Sequence, residues 1–378
     1  MRSPYLKVQD DILRRIVSGE LNPGDKLPSE NDLSSEYQVS RMTLRKALAI
    51  LCSEGYIYQV RGLGTFVTSP DDKTTKILRE RSQYNRKKTK GIGMLISCVT
   101  GSLYPPIIRG VEDILYKHGY HLVLGNYDAV PAKEQKYMET FVRNGFSGLL
   151  IAASYNSHLN PYYVTLKNRH IPFVLIDTDV KGLDADLVTA DSRKGSRAVT
   201  KLLISSGCRR IAIVCGSLES FTSKERLAGY REALEEAGIP VREELIYTGE
   251  FKEEFGYQAT CSLLASHKPD GILSANEPIT PGVLNAIHEK GLAIPDDIRI
   301  VSFDEPELPG WLQTPIPLMV QPGYEIGKAA AELLLQRIGE LRNKETSSDK
   351  RILIEPKLLT GRRREGNAIH SNLEVCNV

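Results

Sequence analysis

Five polar residues stand where strand-sized apolar runs end or helices begin. Asp177 closes "PFVLID", Asn276 closes "GILSAN" and Asp304 closes "IRIVSFD". Arg226 lies in "SKERLAGYREAL", which opens a helix after the strand-like "RIAIVC", and Gln321 sits in "MVQPGYEIGKAAAELLLQRI". Carboxylates, amides and a guanidinium offer fork-like donors and acceptors, which suit the adjacent hydroxyls of a sugar. Tyr104, Phe221 and Trp311 supply the apolar wall that such pockets also need. A single Asp or Asn after a strand is ordinary turn or capping chemistry. Several of them converging on strand ends make a candidate effector-binding set.

A second group has different chemistry. In "SRMTLRKALAIL" the apolar residues Leu44, Ala47, Leu48 and Leu51 recur at i, i+3, i+4 and i+7, one face of a helix. Ser40 is placed to cap its first turn. Arg41, Arg45 and Lys46 then project from the other side, with Thr43 near the same end and no acid in the stretch. A basic helix end of this kind suits phosphates and guanine edges.

The preceding residues position that helix. Tyr5, Val8, Ile12 and Ile16 predict an amphipathic helix ending near Gly19, and "LNPGDKLP" a turn. Ser29 and Asp32 predict a capping box opening a second helix, with Leu33 and Tyr37 on its apolar side. Two helices joined by the brief "VS" read as a helix-turn-helix, whose second helix enters the major groove of DNA. Beyond Gly55, "YIYQV" and "TFVT" alternate as strands around "RGLG", a hairpin wing. There Gly62 and Gly64 permit a tight turn, and Arg61 can lie on phosphates or in a minor groove.

From Gly91 onward strand-like runs alternate with helical ones, which predicts parallel sheets covered by helices on both faces. The body is long for a single doubly wound sheet, so two lobes are expected, with a ligand cleft at the carboxyl ends of their strands. The domain expectation is a reading head over 1–70, a charged tether over 71–90 with a short helix in "TTKILRERSQ", a two-lobed body over 91–364, and a disordered tail over 365–378.

Charge fits that division. The overall charge is +2, but residues 71–90 hold eight basic against three acidic side chains, and residues 1–70 nine against eight. The remainder is net acidic, so a polyanion partner belongs at the N-terminal end. The apolar runs are strand-sized and no leader-like stretch opens the chain, so a cytoplasmic protein with no membrane association is expected. Six cysteines are scattered without a CxxC, reading as reduced and mostly buried thiols. The seven histidines show no HExxH, and His118 and His121 flank a turn, so no metal is expected. No G-x-G-x-x-G follows a strand, and GxxxxGK[ST] and G-x-S-x-G are absent. An enzyme on the doubly wound body is therefore the weaker alternative, and no cofactor is expected.

"LPSENDLSSEYQVSRMTLRKALAILCSEGYIYQVRGLGTFV" resembles the winged helix-turn-helix of the GntR family of bacterial repressors. The resemblance implies that Arg41 and Arg45 contact DNA, helped by Thr43, Lys46, Glu30 and the wing residues Arg61, Gly62 and Gly64. Residues 91 to about 362 resemble the effector domain of LacI-type repressors, through "PIIRGVED", "FSGLLIA", "RLAGYREALEEAGI", "GLAIPDDIRIVSFD" and "QPGYEIGKAAAELLL". That likeness implies a type I periplasmic-binding-protein-like fold with Asp177, Arg226, Asn276, Asp304 and Gln321 facing the cleft. It also implies a homodimer on a double-stranded operator with an inverted repeat. The combination implies a repressor governed by a sugar such as arabinose or another carbohydrate; a regulator sensing a non-sugar metabolite is the alternative. One departure is Glu277-Pro278, where the family usually carries Asp followed by an uninterrupted helix start.

Overall fold

The computed structural model describes residues 4–53, 55–60, 62–68, 90–154, 157, 160–306, 315–343 and 347–360. The expected helix in "TTKILRERSQ", Arg61, Trp311 and the tail lie outside the described residues. The chain divides into two compact units, Met1–Thr89 and Lys90–Val378.

In the first unit three helices, α1 (Pro4–Val17), α2 (Glu30–Glu36) and α3 (Arg41–Ser53), precede an antiparallel hairpin of β1 (Ile57–Val60) and β2 (Gly64–Val67). The expected capping box opens α2: the Ser29 hydroxyl accepts from Asp32 N–H and the Asp32 carboxylate accepts from Ser29 N–H, both at 3.3 Å. Ser40 caps α3, its Oγ accepting from Thr43 N–H at 3.1 Å. The apolar face of α3 packs onto Val8 and Ile12 of α1, Leu33 of α2, and Ile57 and Val67 of the hairpin. Each buried leucine there contributes about 1.5–3 kcal/mol relative to exposure. Residues 24–27 run along β2, with Leu27 N–H donating to Thr65 O and Val67 N–H to Asp25 O, both at 2.8 Å, so the wing is anchored on its inner edge.

The second unit holds two six-stranded sheets. The first lobe contains β3 (Gly91–Ile96), β4 (His121–Asn126), β5 (Gly148–Ile151), β6 (Phe173–Ile176), β7 (Asp186–Ala190) and β13 (Arg351–Ile354). Their spatial order is β4-β3-β5-β6-β7-β13, every pair parallel. Helices α4 (Tyr104–Lys117) and α11 (Gly323–Asn343) cover one face. Helices α5 (Pro131–Arg143) and α6 (Tyr162–Asn168) cover the other. Burial on both faces is why "GIGMLI" and "FVLI" are apolar throughout rather than alternating.

The second lobe repeats the plan. Its strands are β8 (Ile211–Gly216), β9 (Ile246–Gly249), β10 (Gly271–Ser274), β11 (Arg299–Phe303), β12 (Leu318–Val320) and β14 (Lys357–Leu359). The order is β9-β8-β10-β11-β12-β14, parallel except for β14 against β12. Helices α7 (Ser192–Ser205) and α8 (Phe221–Glu236) cover one face, and α9 (Glu253–Ser266) and α10 (Thr280–Glu289) the other. A Cβ on Gly229 of α8 would run into the backbone of Arg193 and Arg197 in α7, so only glycine permits this close crossing.

The chain passes between the lobes three times: β7 to α7, β12 to α11, and β13 to β14. At the first crossing Asp191 caps α7, accepting from Lys194 N–H at 2.9 Å, while its own N–H donates to Ile354 O beside the third. Among the described cysteines Cys208 and Cys215 are buried, Cys52 and Cys261 half-buried, and Cys98 exposed.

Candidate functional site

In each lobe the strand order reverses direction next to its first strand, at β3–β5 and at β8–β10. Open parallel sheets bind ligands at that point, outside the carboxyl ends of the strands. Both such ends face one cavity of about 1330 Å³ between the lobes. Tyr104, Asp177, Arg226, Asn276, Asp304 and Gln321 all line it.

Asp177 and Asp304 follow β6 and β11, and each has a φ of 65°. This left-handed conformation is one that Asp tolerates better than most residues. Asp304 Oδ1 accepts from Gln321 N–H at 3.0 Å and its Oδ2 from Gln321 Nε2 at 2.7 Å. That pair uses one side-chain amide N–H and leaves Gln321 Oε1 shielded, with no hydrogen-bond partner among the described residues. Asn276 Oδ1 accepts from Gly216 N–H at 2.8 Å, joining the ends of β10 and β8.

Arg226 is 3% exposed. Its Nη1 donates to Ala275 O at 2.6 Å, and the guanidinium lies 3.9 Å over the Phe303 ring, a cation–π arrangement. Nε of Arg226 and Oδ1 of Asp177 are likewise shielded and unpartnered among the described residues. Burial raises the Asp177 carboxyl to about 6; Arg226 opposes the rise and Asp304 adds to it. Burial also raises Asp304, against the pull of Arg226 and the Gln321 hydrogen bonds. The cavity lining therefore brings together a guanidinium, two carboxylates and two amides, side chains whose donors and acceptors suit a molecule with several hydrogen-bonding groups.

Phe221 departs from expectation, for it does not line the cavity. Its neighbours Ser220 and Thr222 do, bonded to each other at 3.0 Å, and successive helical residues point about 100° apart. The Phe221 ring packs against the core of the first lobe, with the Arg351 guanidinium 5.6 Å from its centre. Tyr127 and Phe251 line the cavity instead. Each closely follows a strand, β4 or β9, a position that an aromatic scan of strand ends finds.

The reading head gathers the other set. Arg41, Arg45 and Lys46 are exposed on α3, and Met42 beside them is 82% exposed. Arg45 Nε donates to Glu30 Oε2 at 2.8 Å, so the first residue of α2 orients a guanidinium of α3. Lys46 Nζ stands 4.3 Å over the Tyr5 ring. Thr43 Oγ1 is 2.8 Å from Ser40 Oγ, at the helix start. Gly62 and Gly64 flank the wing turn at φ of 81° and 126°.

Residues 4–67 match the bacterial regulatory proteins of the gntR family, and residues 200–362 match a periplasmic binding protein-like domain. The arabinose metabolism transcriptional repressor of Geobacillus stearothermophilus is 31% identical over 363 residues, covering 94% of this chain and 96% of that protein. The chain belongs to the GntR-headed, LacI-type transcriptional repressors. The ribose operon repressor of Escherichia coli K12 is 31% identical over 253 residues, 66% of this chain and 76% of its own length. The transcription regulator CcpA of Lactococcus lactis superposes with a TM-score of 0.64 at 28% identity, covering 72% of this chain and 98% of that one. The repressor is thus a DNA-binding regulator with an effector domain, and not an enzyme. Among the described residues no helix is long and apolar enough to cross a membrane.

Proposed function

We propose that this repressor binds an inverted-repeat operator as a homodimer in the bacterial cytoplasm and releases it when a small sugar, arabinose or a close relative, enters the cleft. The observation that carries the sugar reading is the convergence of Asp177, Arg226, Asn276, Asp304 and Gln321 on the lining of one cavity. A polyol supplies both donors and acceptors to such a set at once. The 31% identity to an arabinose metabolism repressor along nearly the whole chain supports the same reading. In the reading head, Arg41 and Arg45 are assigned to base edges and phosphates, Thr43, Lys46 and Arg61 to positioning on the backbone, and Glu30 to orienting Arg45. Gly62 and Gly64 shape the wing.

A sugar can switch the operator affinity only through unequal binding to two lobe arrangements. Pentoses, hexoses and disaccharides are therefore titrated in thermal-shift and gel-shift assays. A ligand bound only by the folded form at a hundred times its Kd stabilises by about 2.7 kcal/mol. L-Arabinose is expected to raise the melting temperature and weaken the operator complex. Arg226→Ala is expected to abolish the thermal shift while leaving operator binding, and Arg41→Ala the reverse. If both substitutions impair both activities alike, the division of labour is wrong.

A further inference from the structure

Glu277 and Ser102 lie 175 residues apart in sequence and on opposite lobes, yet they meet across the cavity that both line. Glu277 follows β10 of the second lobe; Ser102 sits between β3 and α4 of the first. Glu277 Oε2 accepts from Ser102 N–H at 3.1 Å and from Ser102 Oγ at 2.8 Å. The adjoining Gly101 has a φ of 89°, and a Cβ there would stand 3.2 and 3.3 Å from the two carboxylate oxygens. The loop thus offers the carboxylate two donors from one residue and, through glycine, the room to approach.

The lobes are joined by the three chain crossings and by Phe221 packed against the first lobe beside Arg351. The Glu277–Ser102 contact lies instead at the cavity, and it can break and re-form in water. Hydrogen bonds to an ionised acceptor are roughly twice as strong as neutral ones, so this one biases the balance between open and closed arrangements. A protein whose binding-competent form is only partly populated shows an affinity reduced by that fraction. A contact that enlarges the fraction raises affinity without touching the ligand.

We propose that Glu277 is a latch: a positioning residue that holds the two lobes together across the effector cleft and sets the sugar concentration at which the repressor responds. The second half of this statement rests on the sugar reading above; the first half does not. Removing the latch is expected to weaken the apparent sugar affinity by about three- to tenfold, the size of one charge-assisted hydrogen bond discounted for partial exposure. The side-chain length matters, so Glu277→Asp, one methylene shorter, is expected to behave like Glu277→Ala.

The test uses the full-length repressor without sugar, as wild type, Glu277→Ala, Glu277→Asp and Ser102→Ala. Hydrogen exchange at the Ser102 amide and the scattering radius of gyration are measured first. The expected result is a Ser102 amide that exchanges at least tenfold faster in both Glu277 variants, with a larger radius at unchanged melting temperature. Ser102→Ala, which keeps the backbone donor, should fall between. L-Arabinose titration should then place the midpoints in the same order. An exchange rate indifferent to Glu277 overturns the latch, and so does faster exchange with unchanged radius and midpoint, which would make the contact merely local. If the wild type ignores every sugar tried, the sugar reading fails, while exchange and scattering still decide whether the lobes are latched.

Discussion

Asp177 combines two roles that conflict. Its carboxylate is held in a left-handed turn, shielded at Oδ1 and raised to about 6 by burial. Because the folded-state value lies above the unfolded one, the native protein holds the extra proton between pH 4 and 6. The stability contribution of Asp177 therefore falls as pH rises through that window and levels off above it. Asp177→Asn is expected to stabilise the sugar-free protein at pH 7 by roughly 1–2 kcal/mol, after discounting for partial exposure. The gain should vanish below pH 4, as urea melts across pH would show. The same substitution removes a carboxylate acceptor, so sugar affinity should drop; in the wild type it should weaken as pH falls through 6. Strand-end polar residues were legible from sequence because several of them recur after successive apolar runs, where a single one would be ordinary turn or capping chemistry. Phe221 was not, since nothing in "SFTSKE" tells which of three consecutive helical residues faces the cleft.

At the level of elements, α3 shows how a reading helix is prepared by its neighbours. Glu30 of α2 reaches Arg45, and Tyr5 of α1 lies under Lys46. Arg45→Ala is expected to cost about 1–3 kcal/mol of discrimination at one base pair, whereas Glu30→Ala, which leaves the guanidinium intact but loose, should cost less. Binding isotherms on operators with single base changes check the difference. Helices and central strands could be read from periodicity and apolar runs. The edge strands β13 and β14, and β12 beside β14, could not: they are three or four residues long, and "RILI" alternates half-buried and exposed positions. Strand β7, "DLVTA", is fully buried but hidden among polar neighbours that resemble a loop.

On the scale of the whole molecule, two copies of one strand order share three crossings and the Glu277–Ser102 contact, so the proposed closing of the cleft is a motion between the lobes rather than within them. Two lobes and their cleft follow from the βα alternation and chain length. Which segments cross between them does not, because crossing depends on where the last strands dock. The third crossing has a consequence for biosynthesis. The edge strand of one sheet and the antiparallel margin of the other are both supplied by residues 351–359. Neither half can be finished until residues 351–359 have left the ribosome. Deleting residues 351–378 should therefore lower the stability of both lobes together, a loss that protease-resistant fragments from each would report. A premature stop near the end would cost the cell the whole sensor rather than a trailing piece of it.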